Sequence, residues 1–160
     1  MAAKTARRTT AESEVNFTRV FNAPASLVFK AWTDPKHMAQ WWGPQGFTNP
    51  VCEMDVRPGG KILIHMRSPD GTVYPMTGTF REVVVPERLV FTAVAEDDDG
   101  NALLEGLCTV TFEEQGGKTT LTVHETAVGY AEVAKQMLAG METGWAQSLE
   151  RLDTLVQSES

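Results

Sequence analysis

The chain has 160 residues, 42% of them apolar and 22% charged, with a formal net charge of −7 and two cysteines. That length and composition describe one globular domain with a core of its own. They exclude a membrane-spanning helix, since no apolar run approaches the ~20 residues needed, and they argue against nucleic-acid binding, which depends on neutralising phosphates.

In chain order, residues 1–12 carry Lys4, Arg7 and Arg8 against Glu12, and the rest of the chain is strongly acidic. This basic, polar stretch reads as a disordered tail, with the domain proper over residues 13–160. Arg7-Arg8 does not read as an export signal, because polar Thr9 to Glu12 follows where an apolar segment belongs. A cytoplasmic protein is expected. In a reducing compartment Cys52 and Cys108, both in apolar strand-like contexts, are expected to be buried free thiols.

Val15, Phe17, Val20 and Phe21 alternate well enough with polar residues to predict a first strand, ended by Asn22-Ala23-Pro24. Pro24 suits the first position of a short helix whose apolar face is Leu27, Val28, Ala31 and Trp32. Asp34 and Pro35 then read as cap and first residue of a second short helix carrying Met38, Trp41 and Trp42, stopped by Gly43-Pro44. One tryptophan of the pair is expected to pack beneath this helix and the other to border whatever space lies beyond it.

From Val51 the signals are strands and turns. Strands are predicted over 51–56, 61–67, 73–85, 89–95, 103–113 and 119–126. They are separated by Pro58-Gly59-Gly60, Pro69-Asp70-Gly71, Pro86-Glu87, the acidic stretch from Glu96 to Asn101, and Gln115 to Lys118. Pro75 and Gly78 point to a bulge or an edge position near the start of the third of these. Short turns between consecutive strands make an antiparallel meander.

The chain closes on one long predicted helix, Tyr130 to Val156. Val133, Met137, Met141, Trp145, Leu149, Leu152 and Val156 recur every three or four residues as a single apolar stripe. Such a rod would be about 40 Å long. Gly140 and Gly144 beside the stripe mark either a close approach or a bend. The expected architecture is α+β, a curved antiparallel sheet of about seven strands around a long C-terminal helix.

The order of elements and the residues at their joints resemble the helix-grip fold of the START-like (SRPBCC) superfamily. Within it the chain resembles the activator of heat shock protein 90 ATPase homologue family. The matching residues are Phe21-Asn22-Ala23-Pro24, Val28 to Pro35, Trp41-Trp42-Gly43-Pro44, Gly59-Gly60, Pro69-Asp70-Gly71, Gly78-Thr79-Phe80, Pro86 to Thr92 and Gly144-Trp145. The resemblance implies a cavity between helix and sheet able to hold an apolar small molecule, while relatives differ in what they bind.

Methionine and aromatic side chains suit such a cavity because they adapt to irregular apolar ligands. The residues expected to line it are Trp42, Met66, Met76, Phe80, Phe91, Met137, Met141 and Trp145. Core filling uses the same residue types, so the assignment waits on geometry. His37, His65 and His124 lack metal-ligand spacing, and neither a metal nor any other cofactor is expected. Strand parity puts His65 on the row opposite Ile62, Ile64 and Met66. Of the strand carboxylates Glu53, Asp55, Glu82, Glu105 and Glu125, none is paired by the sequence, and solvated or edge positions are expected. Glu125 beside His124 is the one pair singled out for acid–base chemistry.

Three readings of function follow. The favoured one is a non-enzymatic binding domain for a small lipophilic or aromatic molecule. The second, implied by the resemblance, is a co-regulator of a chaperone ATPase, discounted because the activators that name the family have a further N-terminal domain. The third is a small cyclase or hydrolase acting on an aromatic or polyketide-like substrate, with His124, Glu125 or Tyr74 as its titratable group. Edge strands permit self-association, but no pattern specifies an oligomeric state.

Overall fold

The chain runs β1 (Ala11–Phe21), α1 (Ala25–Thr33), α2 (Pro35–Trp41), β2 (Thr48–Met54), β3 (Lys61–Arg67), β4 (Val73–Val84), β5 (Arg88–Glu96), β6 (Ala102–Gln115), β7 (Lys118–Gly129) and α3 (Met141–Glu159). The computed structural model describes residues 11–96, 99, 101–130, 135 and 138–159. The strands form one antiparallel sheet in the order β1-β7-β6-β5-β4-β3-β2. Six strands follow one another as a meander, and the first closes against the last, Val15 opposite Glu125 and Phe21 opposite Thr119. The fold is α+β, of helix-grip type.

Pairing of β1 begins at Ala11 opposite Gly129 and Glu12 opposite Val128, so the expected tail over residues 1–12 gives up its last two residues to the sheet. Residues 1–10 lie outside the described residues. Every second residue of β7 is buried from Thr119 to Gly129, which places one row of side chains on the face that carries the core. Pro75 sits where β4 pairs with β3 but extends past the end of its pairing with β5, which starts at Met76. Its missing N–H therefore costs no ladder bond on that side. The bulge falls at Arg81, between the Phe80 and Glu82 pairings, later than the sequence suggests. Gly78 serves a different purpose, because a Cβ there would overlap the carbonyl oxygen of Thr92.

Asp34 caps α2 through its side chain, accepting from the Lys36 N–H at 2.9 Å, with Pro35 as the first helical residue. Pro24 stands one position earlier than expected, as the cap of α1, with no side-chain cap of its own. The Ala25 N–H is instead met by Glu114 Oε1 from the end of β6 at 2.8 Å, which ties the start of α1 to the sheet.

The closing helix differs most from expectation. Tyr130 continues the sheet, its N–H donating to Leu103 O at 2.9 Å. Lys135, Leu138 and Ala139 are helical, Gly140 is a turn, and α3 starts at Met141 and runs to Glu159. Of the two roles open to the glycines, Gly140 takes the bend, and its carbonyl accepts the Gly144 N–H at 2.8 Å. Val133 and Met137 lie outside the described residues. Trp145, Leu149, Leu152 and Val156 are buried as one stripe, and α3 packs against α1, α2 and β1.

Candidate functional site

Trp32 is the centre of the core. It is fully buried on α1, with ring centroids 4.7 Å from Trp41, 6.4 Å from Trp42, 6.3 Å from Phe91 and 6.0 Å from Trp145, the last nearly parallel. Each such pair is worth about 0.5–1.5 kcal/mol beyond the area it buries. Beside this cluster is an apolar cavity of about 10 Å³, enough for one water. Trp32, Trp42, Phe80 and Phe91 wall it on the aromatic side, and Met38, Met54, Met76, Ile62 and Ile64 complete it.

Four of the residues expected from the sequence, Trp42, Met76, Phe80 and Phe91, meet at this cavity. Trp145 does not line the space; its ring packs behind two wall residues, 6.0 Å from Trp32 at 20° and 5.5 Å from Trp42 edge-on. Met141 is half-buried at the start of α3 and packs on the core away from the cavity. Met66, near the end of β3, is spent on the loop, its sulfur lying against Gly43. Met137 lies outside the described residues.

The α2–β2 loop that borders the cavity is held by α3. The Arg151 guanidinium donates to the carbonyls of Gln40 at 2.9 Å, Gly43 at 3.0 Å, Pro44 at 3.0 Å and Trp42 at 3.3 Å. Gln147 Oε1 accepts from the Gln45 N–H at 3.0 Å. Trp42 is thereby fixed from its backbone. Burial lowers the pKa of Arg151 somewhat, in keeping with its partly enclosed position.

The indole N–H groups divide into two pairs. Trp41 donates to Ala31 O at 2.9 Å, and Trp145 donates to Glu125 Oε1 at 2.5 Å. Trp32 Nε1 and Trp42 Nε1 are buried and make no hydrogen bond. An unmet buried donor costs about 1–3 kcal/mol; both rings line the cavity, but only through apolar atoms.

Glu125 corrects the expectation of a solvated carboxylate. It is 6% exposed, on the buried row of β7 with Leu121, Val123 and Ala127. Burial pushes its pKa up from 4.5 to about 7, opposed by the hydrogen bond from Trp145. His124 is on the other face, its Nε2 2.5 Å from Glu14 Oε2, so the two neighbours form no acid–base pair. Tyr74 is exposed at 39%. Glu125 itself does not line the cavity. Cys52 and Cys108 are free thiols. Burial raises both, Cys52 to about 11, and the Glu125 carboxylate adds to the rise at Cys108.

A larger concavity, about 810 Å³, is elsewhere. It is an open groove whose outward side chains, including Glu14, Thr92, Glu105 and Leu107, lie on the face of the sheet turned away from α3. Its carboxylate-rich rim does not suit an apolar ligand. Among the described residues no cluster of His, Cys, Asp and Glu could hold a metal, and no helix is long and apolar enough to cross a membrane.

The family model described as activator of Hsp90 ATPase homolog 1-like protein matches residues 22–157. The chain belongs to that family. A protein from Arthrobacter aurescens, solved by NMR, is similar at 25% identity and TM-score 0.77, over 94% of this chain and 93% of its own. A Mycobacterium smegmatis protein is 26% identical with TM-score 0.72, over 92% and 96%. The AHSA1 protein of Silicibacter pomeroyi, at 24% identity and TM-score 0.77 over 92% and 100%, shares the fold. Among curated proteins no sequence matches.

Within this AHSA1-like chain, sequence reasoning missed the parts played by Trp32 and Arg151, and it singled out Glu125 but placed it in solvent or at an edge, beside His124. Trp32 lies on the predicted apolar face of α1, but nothing local says that the sheet curls around it. Glu125 was within reach of parity, two residues on from Val123 in a strand of strict alternation. Arg151 sits on the polar side of the stripe, and only the position of the α2–β2 loop gives it partners.

Proposed function

We propose that this AHSA1-like chain is a non-enzymatic binding domain for a small lipophilic or aromatic molecule, held between α1, α2 and the core face of the sheet. One observation carries the reading. The cavity bounded by Trp42, Met76, Phe80 and Phe91 is apolar throughout, and three of its nine wall residues are methionines. Methionine side chains are unbranched and repack readily, so a space now sized for one water can widen by rotamer changes, with the backbone in place. Calorimetric titration with isopropylbenzene tests this. Saturable binding is expected, and Met76→Phe, which fills the space, should weaken it at least about tenfold. Equal affinity in the variant would put the ligand elsewhere.

The family description favours a second reading, co-regulation of a chaperone ATPase. Its test is retention of the purified chain on the chaperone of the same cell, together with a change in ATPase rate. Neither effect would be seen if the chain only binds small molecules. A hydrolase or cyclase reading has less support, because His124 and Tyr74 are at the surface and Glu125 is engaged by Trp145 away from the cavity.

A further inference from the structure

We propose that the open groove on the outer face of the sheet is the docking site of the chain's own first ten residues, with Lys4, Arg7 and Arg8 paired to its carboxylates. This surface lies away from the cavity, and its role is independent of the binding reading.

Strand register builds the groove from two cross-strand rows. Val94, Glu105, Val128 and Glu12 face one another in turn across β5, β6, β7 and β1, and Thr92, Leu107, Thr126 and Glu14 form the next row. Alternation turns these side chains away from the core residues Phe91, Cys108, Val123 and Val15 on the same strands. The result is a concavity of about 810 Å³ with Val94, Leu107 and Val128 as its apolar floor and three glutamates around them. Leu107 is 39% exposed. Glu14 is engaged by His124, while Glu12 and Glu105 have no ion-pair partner among the described residues. Arg81 is the one basic residue of the wall and sits on β4, at the side far from β1.

The N-terminal segment meets this groove at its own wall, because Ala11 opens β1 and Glu12 lines the space. It carries Lys4, Arg7 and Arg8 and no acidic side chain, in a chain whose net charge is −7. Neighbouring strands are ~4.8 Å apart, so Glu105 stands about 10 Å from Glu12 across Val128. Extended chain covers up to ~3.5 Å per residue, so Arg7 and Arg8 span that distance after turning back, and Lys4 reaches beyond β5. Arginine and lysine also fit the floor, since their apolar stems lie on hydrocarbon while the cationic heads reach a charged rim. Exposed ion pairs are individually weak and screened by salt. A short tether holds the segment at an effective concentration in the millimolar range, so weak contacts suffice.

The full chain at low concentration supplies the test. A carbodiimide joins an amine to a carboxylate in direct contact, and peptide mapping of the monomer reads the sites. Lys4 is expected to couple to Glu105, and the coupling should be lost in about 0.5 M salt and in the double variant Arg7→Glu/Arg8→Glu. Both substitutions precede β1 and the core in sequence. In ¹H–¹⁵N spectra the same variant should shift the amides of Leu107, Thr126 and Val128 and leave those of Ile64 and Leu89 in place. Coupling of Lys4 to the exposed Glu53 and Glu150 as readily as to Glu105 would overturn the proposal, as would groove amides that do not move in the variant. Coupling confined to cross-linked dimers would overturn it too, since the groove would then receive a second copy.

Discussion

Glu125 on the last strand accepts a hydrogen bond from the indole N–H of Trp145 on the last helix, at 2.5 Å. This is the only side-chain hydrogen bond that crosses directly from the core face of the sheet to α3 among those described, and it places a titratable group at the seam of the fold. A Cβ on Gly106, in the neighbouring strand, would overlap Glu125 Oε2. The carboxyl thus has room only because β6 has a glycine beneath it.

The raised pKa of Glu125 makes stability depend on pH. The unfolded chain releases this proton near 4.5 and the folded chain near 7. The contribution is therefore fully present below 4.5, declines as pH rises between the two values, and is lost above about 7. The spread corresponds to about 3 kcal/mol. Urea unfolding of wild type and Glu125→Gln at about pH 4 and about pH 8 measures it. The variant should gain on wild type at the higher pH by about that amount, since glutamine keeps an acceptor for Trp145 and carries no charge. Parallel curves would mean that the carboxyl is ionised without penalty.

The two glycines nearest the seam should respond oppositely to alanine. Gly106→Ala has to push Glu125 off Trp145 and is expected to cost about 1–3 kcal/mol. Gly144→Ala meets only Pro44 Cγ at 3.7 Å, an ordinary contact, and should stabilise α3 by up to about 1 kcal/mol. Thermal unfolding of the two variants reads both. A neutral Gly106→Ala would show that Glu125 can leave Trp145 freely.

Arg151→Ala removes the donor that serves three carbonyls of the α2–β2 loop and that of Gln40 at the end of α2, and a loss of about 2–4 kcal/mol is expected. Arg151→Lys should recover less than half of it, because an ammonium cannot span several acceptors as the planar guanidinium does. Chemical denaturation of the pair checks the order. Full recovery by lysine would mean that charge, and not the spread of donors, holds the loop.

The periodic parts of this fold were legible before its geometry. Alternation places Ile62 and Ile64 inward and His65 on the other row, and the turn residues separate all seven strands within a few positions. What periodicity could not convey was the depth of each layer. Trp42, Met76, Phe80 and Phe91 reach the cavity, while Trp145 packs on Trp32 and Trp42 without lining it, an arrangement set by other elements with no sequence relation to its own. Glu125 was misread for a different reason. Its charge outweighed its place in an alternating strand, although a carboxyl with an indole donor above it and a glycine beside it can be buried. The Arg151 contacts depend on where a loop about a hundred residues earlier comes to rest, which no local pattern encodes.

The central claim, that an apolar ligand enters beside Trp42, Met76, Phe80 and Phe91, is tested most directly with methyl-labelled methionine. Of the seven methionines, Met38, Met54 and Met76 line the cavity, whereas Met66 lies against Gly43 outside it. Titration with isopropylbenzene should move the methyl signals of the first three saturably and together, with Met66 little changed. If those three signals stay fixed while others move, or if none moves at the solubility limit, the cavity is packed core and the binding reading is wrong.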